Sequence, residues 1–347
     1  MVFPEDLVIH ILFLEGAILF FIVALFLGHG VWLQRQKKWS EPLLERAREA
    51  LTIALEDHSR GRELLEPFRV VPVRLQIRLF AALLPTLSGE QRRWLTELAQ
   101  ELRLTDRAER MCRSRLWWRR LRAARLITLL GGREATMLPL MLDRNSYVRA
   151  QAAEWATNRP ENATIEILLA LLGDSDGLCR FAVQDSLSRM GSAVVERLAA
   201  YLSSHSGSEV RAALEIGVNL ADPQLLAPTV TLSRDRLPQV RSLAATLLGS
   251  LGGSQAVDTL FDLLSDDEAS VRAAAARALG KLSHWPAAAK LAPLLHDSVW
   301  EVRKEAGLAL VALGAPGVLF LRRALKDIDQ SAADMARYVL DLSSSHS

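Results

Sequence analysis

The chain has 347 residues, a formal net charge of +2 and two cysteines, and it is 50% hydrophobic but only 6% aromatic. Two cysteines exclude a disulfide-dense secreted scaffold, and an excess of aliphatic and small side chains favours packed helices over sheets. The charge is uneven, because residues 35–130 hold 21 Lys and Arg against 12 Asp and Glu, whereas residues 131–347 hold 21 against 25.

The chain opens with a segment that is predicted to be a membrane anchor. Residues 7–33 are almost wholly apolar, and about 20 apolar residues suffice for a helix to cross a bilayer. A cleaved signal peptide is the alternative, but the start carries Glu5 and Asp6 instead of basic residues, and no small-residue cleavage site follows. His10 and Glu15 are candidate intramembrane contacts to a partner helix; the alternative is a Glu15 that is protonated or lies near the headgroups.

The flanking charges predict the orientation of this anchor, which is assigned to residues 1–34. No Lys or Arg precedes it, whereas several follow it directly. Since positive charge stays on the cytoplasmic side, the N-terminus is expected outside and the remainder in the cytosol. In a bacterium this describes a single-pass protein of the inner membrane. Residues 35–115 are predicted to form a basic helical region beside that membrane.

Arginine is concentrated at the end of this basic region. Nine arginines and two tryptophans, Trp117 and Trp118, lie within residues 103–125. One interpretation is a face that binds anionic lipid headgroups, and the alternative is a solvated face paired with Asp106 and Glu109. Nucleic-acid binding is not expected, because no groove-reading motif is present. The candidate anion-binding residues are Arg113, Arg115, Arg119 and Arg122.

The rest of the chain repeats. A Val-Arg dipeptide, replaced once by Cys179-Arg180, returns with its arginines 30 or 31 residues apart, which indicates a stacked array. An Asp usually stands six residues before the Arg, and a Gly often follows eleven residues after it. Apolar residues recur three and four apart around each dipeptide and before each Asp. Each repeat is therefore predicted to be helix, turn, helix. The repeating arginines are Arg149, Arg180, Arg211, Arg241, Arg272 and Arg303.

This pattern, as in Asp266, Val271-Arg272 and Leu279-Gly280, resembles the HEAT repeat, in the short form also seen in phycobilisome lyase-like proteins. The resemblance covers residues 116–341. It implies an all-α, right-handed α-α superhelix, a HEAT-like solenoid, here preceded by a single transmembrane helix. Residues 342–347 are expected to form a disordered tail.

The resemblance also implies a role for the repeated Asp and Arg, which form a ladder of hydrogen bonds between neighbouring repeats in that family. His205 takes the Asp position before Arg211, and Ser114 takes it before Arg120, so the ladder is in doubt at both places. The implied structural pairs are Asp143 with Arg149, Asp174 with Arg180, Asp235 with Arg241, Asp266 with Arg272, and Asp297 with Arg303.

The second helices of HEAT-like stacks line the concave face, which makes them the candidate partner surface. Positions four and five after each repeating Arg form a row that is acidic in the first repeats and neutral or basic in the last ones. Two aromatic side chains are expected to add exposed area. The alternative is a solvated helix surface. The candidate residues are Glu154, Phe181, Asp185, Glu215, Arg277 and Trp300.

No catalytic, cofactor-binding or metal-binding motif is apparent, since the histidines lack ligand spacing and no nucleophile elbow is present. The sequence therefore predicts a membrane-anchored scaffold, not an enzyme, that presents a cytosolic solenoid to a protein partner such as a membrane enzyme complex. Two alternatives stay open. The resemblance permits a HEAT-like bilin lyase, and the arginine-rich helix permits a regulator that binds anionic lipid.

Overall fold

The structure, a computed structural model, describes residues 5–56, 71–87 and 89–344; for some residues inside the helices, most of them before residue 41, it describes the backbone alone. Every regular element in these ranges is helical, which confirms the prediction of an all-helical chain. The chain divides into two compact bodies. The N-terminal body comprises residues 1–115 and 125–132, and the C-terminal body comprises residues 116–124 and 133–347.

The N-terminal body contains long and short helices around a small apolar core. Leu51, Phe80, Leu95, Leu104 and Ile127 come from different helices and are almost completely buried. The first helix continues without a break across the boundary at residue 34 that the sequence suggested. The helices are α1 (Glu5–Glu56), α2 (Val73–Leu83), α3 (Gly89–Glu101), α4 (Leu104–Met111) and α5 (Trp117–Leu130), of which α5 is shared with the C-terminal body.

The C-terminal body is a series of seven helix pairs, here called repeats one to seven. The first helices are α6 (Glu134–Met141), α8 (Asn162–Ala170), α10 (Val195–Ser204), α12 (Leu226–Leu232), α14 (Ser254–Leu263), α16 (Ala288–Leu291) and α18 (Ala315–Ala324). The second helices are α7 (Ser146–Ala156), α9 (Gly177–Met190), α11 (Arg211–Leu220), α13 (Pro238–Leu251), α15 (Ala269–Lys281), α17 (Trp300–Ala312) and α19 (Gln330–Ser344).

The repeated dipeptide places one residue in the core and the next at the junction between repeats. The residue before each repeating arginine is fully buried, and Cys179 takes this position in repeat two. Burying a valine side chain stabilises the fold by about 1.5–3 kcal/mol, so the pattern fixes the inward face of each second helix. The buried residues are Val148, Cys179, Val210, Val240, Val271 and Val302.

Glycine permits a close approach between consecutive second helices in repeats four to six. A Cβ atom added to Gly249 of α13 would lie 2.6 Å from the Cβ and 2.8 Å from the Cα of Ala278 in α15. The same contact recurs 31 residues later, where a Cβ on Gly280 would lie 2.8 Å from the Cα of Ala309 in α17. These helices therefore pack through small residues with little room for a larger side chain.

The end of the chain differs from the sequence-based expectation. Helix α19 continues to Ser344, so residues 342–344 are helical and do not belong to a disordered tail. The apolar side of α19 explains this, because Ala332, Met335, Ala336 and Val339 are buried and hold the last helix against the preceding repeat. Residues 345–347 lie outside the described residues.

Candidate interaction surface

Arginines of the second helices, and Arg120 of α5 in the same way, bond to the following repeat. In each complete rung the arginine Nε and Nη2 atoms donate to both carboxylate oxygens of an aspartate in the next repeat, at 2.6–2.9 Å. Such bidentate pairs are stronger than neutral hydrogen bonds and impose a fixed geometry. The complete rungs are Arg120–Asp143, Arg149–Asp174, Arg241–Asp266 and Arg272–Asp297.

The Asp and Arg of a single repeat interact in a different way. The Nη1 atom of the arginine donates to the main-chain carbonyl oxygen of the aspartate six residues earlier, as from Arg272 to Asp266 at 2.8 Å. The Asp266 Oδ1 atom accepts from the Glu268 amide at 2.9 Å, directly before helix α15 begins. Each rung therefore ties together two neighbouring repeats and the turn inside each one.

The rungs stabilise the ionised form of their carboxylates. The hydrogen bond from Arg149 is the largest influence on Asp174 and lowers its pKa. At Asp266 burial raises the pKa, but the hydrogen bonds from Arg241 and from the Glu268 amide outweigh it, so the pKa lies below its ordinary value. The pKa values of Asp143 and Asp297 are lowered by the same balance of burial and hydrogen bonding. The rungs are therefore ion pairs at neutral pH.

The ladder stops before repeat three. Arg180 of helix α9 keeps the bond from its Nη1 atom to the Asp174 carbonyl oxygen, at 2.6 Å. His205 stands where the following aspartate would be, and among the described residues none forms an ion pair with Arg180. The sequence-based pairing of Asp174 with Arg180 thus corresponds to a main-chain contact within repeat two, not to a complete rung.

The ladder is also incomplete after repeat three and after repeat six. Asp235 accepts hydrogen bonds from the amides of Gly207 at 2.9 Å and Leu237 at 2.8 Å, and the Gly207 amide replaces the Arg211 guanidinium. Arg303 donates from Nη1 to the Asp297 carbonyl oxygen at 2.8 Å. Its Nε atom is buried without a hydrogen-bond partner among the described residues.

In the first two repeats, the acidic candidates Glu154 and Asp185 of the predicted partner row both bind Arg189 of the same chain. The Arg189 Nη1 atom donates to Glu154 of the preceding second helix at 3.1 Å and contacts Asp185 one turn earlier at 3.3 Å. Arg189 is absent from the residues that the repeat pattern predicted, although it follows Asp185 by four residues on one helix, a spacing that favours an ion pair. The acidity expected at this end of the row is thus partly neutralised.

The remaining charged residues of the row also bridge neighbouring second helices. Glu215 of α11 accepts a hydrogen bond from the Gln184 amide of α9 at 2.8 Å. Arg277 of α15 donates from Nε to Glu305 of α17 at 2.9 Å, and the Glu305 carboxylate is almost buried. These contacts join consecutive helices alongside the ladder, so a partner would have to compete for them.

The two aromatic candidates are exposed, as the sequence suggested. Phe181 is 70% exposed on α9, next to the unpaired Arg180. Trp300 is 50% exposed at the start of α17, and the Lys304 Nζ atom lies 5.3 Å from the centroid of its ring. Large exposed aromatic side chains beside a cation are common at protein interfaces.

The arginine-rich candidates fall in both bodies. Arg119 and Arg122 of α5 place their guanidinium carbons 5.1 and 5.7 Å from the Trp118 ring centroid. The intervening Arg120 belongs to the first rung. Arg113 and Arg115 are exposed in the segment between α4 and α5 of the N-terminal body. Of the predicted anion-binding residues, the C-terminal body therefore contains Arg119 and Arg122, which form a cation–π cluster with Trp118.

The intramembrane candidates His10 and Glu15 have side chains outside the described residues. Within the part of the chain that the structure describes, no helix combines the length and the apolar character needed to span a membrane.

The described residues contain no group of three metal-binding side chains. Cys112 and Cys179 are buried and free. Burial raises the pKa of Cys112 to about 12 and that of Cys179 to about 11, so both remain neutral thiols, which are weak nucleophiles.

Comparison with known protein families identifies the repeat. The family model described as HEAT repeats matches residues 134–219, 227–311 and 270–339, which together span more than half of the chain. No curated protein matches the chain.

Three solved structures that match this chain are distant from it in sequence. Importin beta is 13% identical with a TM-score of 0.57, over 89% of this chain and 52% of its own. The structure described as the Kap95:Nup1 complex is 14% identical with a TM-score of 0.56, over 85% and 47%. Human deoxyhypusine hydroxylase in complex with glycerol is 20% identical with a TM-score of 0.30, over 74% and 100%. The first two likenesses concern the fold alone.

Proposed function

Because the chain belongs to the HEAT-repeat family, we propose that it is a protein-binding scaffold that the apolar part of α1 tethers to a membrane. The proposal rests on one observation. The same chain contains an exposed apolar helix segment and a solenoid whose neighbouring repeats are connected by ion pairs. The first part offers a surface to lipid, and the second offers a surface to a protein.

The apolar segment of α1 has no cover from the described part of the chain. The nine large apolar side chains that the structure describes in this segment are between 48% and 76% exposed. Large contiguous exposed apolar patches mark interaction sites. Residues 18–23 are consecutive, so at 100° per residue they surround the helix instead of forming one stripe. A lipid bilayer covers a helix on all sides, whereas a groove on a partner protein covers only one side, so this distribution favours a bilayer. The exposed residues are Leu14, Ile18, Leu19, Phe20, Phe21, Ile22, Val23, Leu25 and Leu27.

The proposed location is the bacterial inner membrane, with the N-terminus outside and the solenoid in the cytosol. The basic residues that follow the apolar segment support this orientation. Protease added to intact spheroplasts is expected to leave a C-terminal epitope tag uncut and to cleave it after lysis. Cleavage of the tag in intact spheroplasts would contradict the orientation.

The tether is tested by placing a charge in the exposed segment. The Phe20→Lys and Ile22→Lys variants are expected to move the chain from the membrane pellet to the supernatant after carbonate extraction, since a central lysine costs about 3 kcal/mol in insertion. Ile53→Lys is the matched control, because Ile53 is 47% exposed on the same helix but outside the apolar segment. Equal extraction of all three variants and the original chain would contradict the proposal.

The scaffold is tested by affinity purification from gently solubilised membranes. The proposed partner is a membrane-associated protein, such as a component of a membrane enzyme complex, recovered in a fixed ratio to the chain. Exposed aromatic residues contribute strongly to interfaces, so Phe181→Ala or Trp300→Ala is expected to reduce recovery about tenfold. The absence of any protein at a fixed ratio would contradict the scaffold function.

A second candidate function is the binding of anionic lipid, which the Trp118 cluster with Arg119 and Arg122 supports. Tryptophan prefers the membrane interface, and arginine is attracted to anionic headgroups. The chain with Phe20→Lys is expected to bind vesicles containing phosphatidylglycerol more tightly than vesicles of phosphatidylcholine alone. If further exchange of Arg119 and Arg122 for Gln leaves this difference unchanged, the cluster is not the lipid site.

A further inference from the structure

The incomplete rung at Arg180 opens into a cavity. The cavity has a volume of about 750 Å³, and Arg180, Arg197, Tyr201, Ser204, His205 and Glu209 contribute to its walls. This volume lies within the range of pockets that hold small ligands or short peptide segments. All of these residues belong to the C-terminal body.

The Nη1 atom of Arg180 is held in the same way as that of the arginines in complete rungs. Its Nη1 atom donates to the Asp174 carbonyl oxygen at 2.6 Å, as Arg149 and Arg241 donate to the carbonyl oxygens of Asp143 and Asp235 at 2.7 and 2.9 Å. In those two arginines the remaining Nε and Nη2 donors bind a carboxylate. Arg180 retains these two donors without a carboxylate from the described residues.

His205 does not replace the missing aspartate as an acceptor for Arg180. Its Nδ1 atom lies 2.9 Å from the Ser204 hydroxyl and 3.0 Å from the Tyr201 carbonyl oxygen. Its ring stacks on the Tyr201 ring with centroids 4.0 Å apart. The imidazole is therefore fixed against the end of helix α10, and it does not fill the space in front of Arg180.

Two of the acidic groups around the cavity are already paired. Asp174 is bound by Arg149 at 2.6 Å, and Glu166 is bound by Arg197 at 3.1 Å. Glu209 is exposed and forms no ion pair among the described residues. Arg180 is exposed at the wall of the cavity, where its Nη1 atom is held by the Asp174 carbonyl oxygen and no carboxylate of the described residues is bound to its other donors. A planar guanidinium favours a bidentate carboxylate.

We propose that this cavity binds an acidic side chain, Asp or Glu, from a segment of a partner protein, and that this carboxylate completes the rung that His205 leaves open. The inference rests on the proposed scaffold function and names the chemistry that its partner supplies.

The first test restores the rung within the chain. In His205→Asp the new carboxylate lies where a rung aspartate stands, so the Tm is expected to rise relative to His205→Asn, which has the same size without the charge. The same comparison in an Arg180→Gln background is expected to show no difference. A Tm of His205→Asp equal to that of His205→Asn in the original background would overturn the proposed geometry of Arg180.

The second test selects ligands with a random peptide library displayed on phage and the immobilised full chain. The selected peptides are expected to share an Asp or Glu, and exchanging it for Asn or Gln should weaken binding about tenfold or more, as should Arg180→Gln or His205→Asp. Arg211→Gln is the matched control, since Arg211 is an exposed arginine of the next incomplete rung and does not line the cavity.

Three results would overturn the assignment. The first is that the selected peptides share no Asp or Glu. The second is that the peptides bind the His205→Asp variant as tightly as the original chain. The third is that acetate or inorganic phosphate binds as tightly as the peptides. Partner recovery from membranes separates this proposal from the scaffold function. If the Arg180→Gln and His205→Asp variants recover the partner as well as the original chain does, the scaffold function stands but the cavity is not its binding site. If the original chain recovers no partner, the scaffold function itself is contradicted.

Discussion

Repeats four to six and the junctions around repeat three use the same sequence pattern but reach different structures. In repeats four to six, Arg241 and Arg272 each bind the aspartate of the next repeat, and glycines bring consecutive second helices close together. Around repeat three, Arg180 lacks its carboxylate, and a main-chain amide occupies the place of Arg211. A single substitution in the pattern, His205 for aspartate, thus coincides with an opening in the wall of the stack.

The difference has a local cause in the backbone. Where the aspartate is present, it accepts a hydrogen bond from the amide two residues later, and the second helix begins three residues before its arginine. In repeat three a short 3₁₀ turn, Gly207–Val210, replaces the first turn of the helix, and α11 begins only at Arg211. Loss of the aspartate therefore moves the start of a helix as well as removing a charge.

The largest predicted effect comes from breaking a complete rung. Asp266→Asn leaves the half-buried Arg241 without its counter-charge, and such a loss costs about 3 kcal/mol of unfolding free energy. The measurement is urea-induced unfolding followed by circular dichroism. Arg211→Gln at the incomplete junction is the control and is expected to cost less than about 0.5 kcal/mol. Equal costs for the two variants would remove the distinction between complete and incomplete rungs.

A smaller effect is expected from the close packing in the same region. Gly249→Ala places a Cβ atom against the backbone of Ala278, so α13 and α15 must separate, at a cost of about 2 kcal/mol. In Gly173→Ala the added Cβ meets no atom within 4 Å, so this control is expected to change the stability by less than about 1 kcal/mol. Thermal unfolding of both variants checks the prediction, and similar Tm values would show that the helices are not in close contact.

The smallest predicted effect is the acid dependence of the rungs. The pKa values of Asp143, Asp174, Asp266 and Asp297 are lowered in the folded chain. Their stabilisation is therefore fully present above the unfolded pKa of about 4 and is lost as the pH falls through the lower folded values. The unfolding free energy is expected to decrease more steeply between about pH 5 and pH 3 in the original chain than in Asp266→Asn. Parallel pH profiles would contradict an ionised rung at Asp266.

The candidate partner surface shows where sequence reasoning stopped. Spacing alone placed Glu154, Glu215 and Arg277 on the second helices, but the rotation between consecutive helices determines which of these charges meet. Glu305 pairs with Arg277 from 28 residues away, and no periodic pattern in the sequence selects it. The membrane location and the lyase-like form of the repeat stay predictions, since neither the fold nor the family decides them.

The sequence by itself determined the helix pairs, the period of about 31 residues and the positions of the ladder residues, because these depend on local periodicity and on a dipeptide with one buried and one polar member. Only the tertiary structure decided that Arg149, Arg241 and Arg272 each reach the aspartate 25 residues ahead instead of the one six residues before, and that the exchange at His205 opens a cavity beside Arg180. Both depend on how one repeat stacks on the next, and that geometry arises from the packing of many side chains at once.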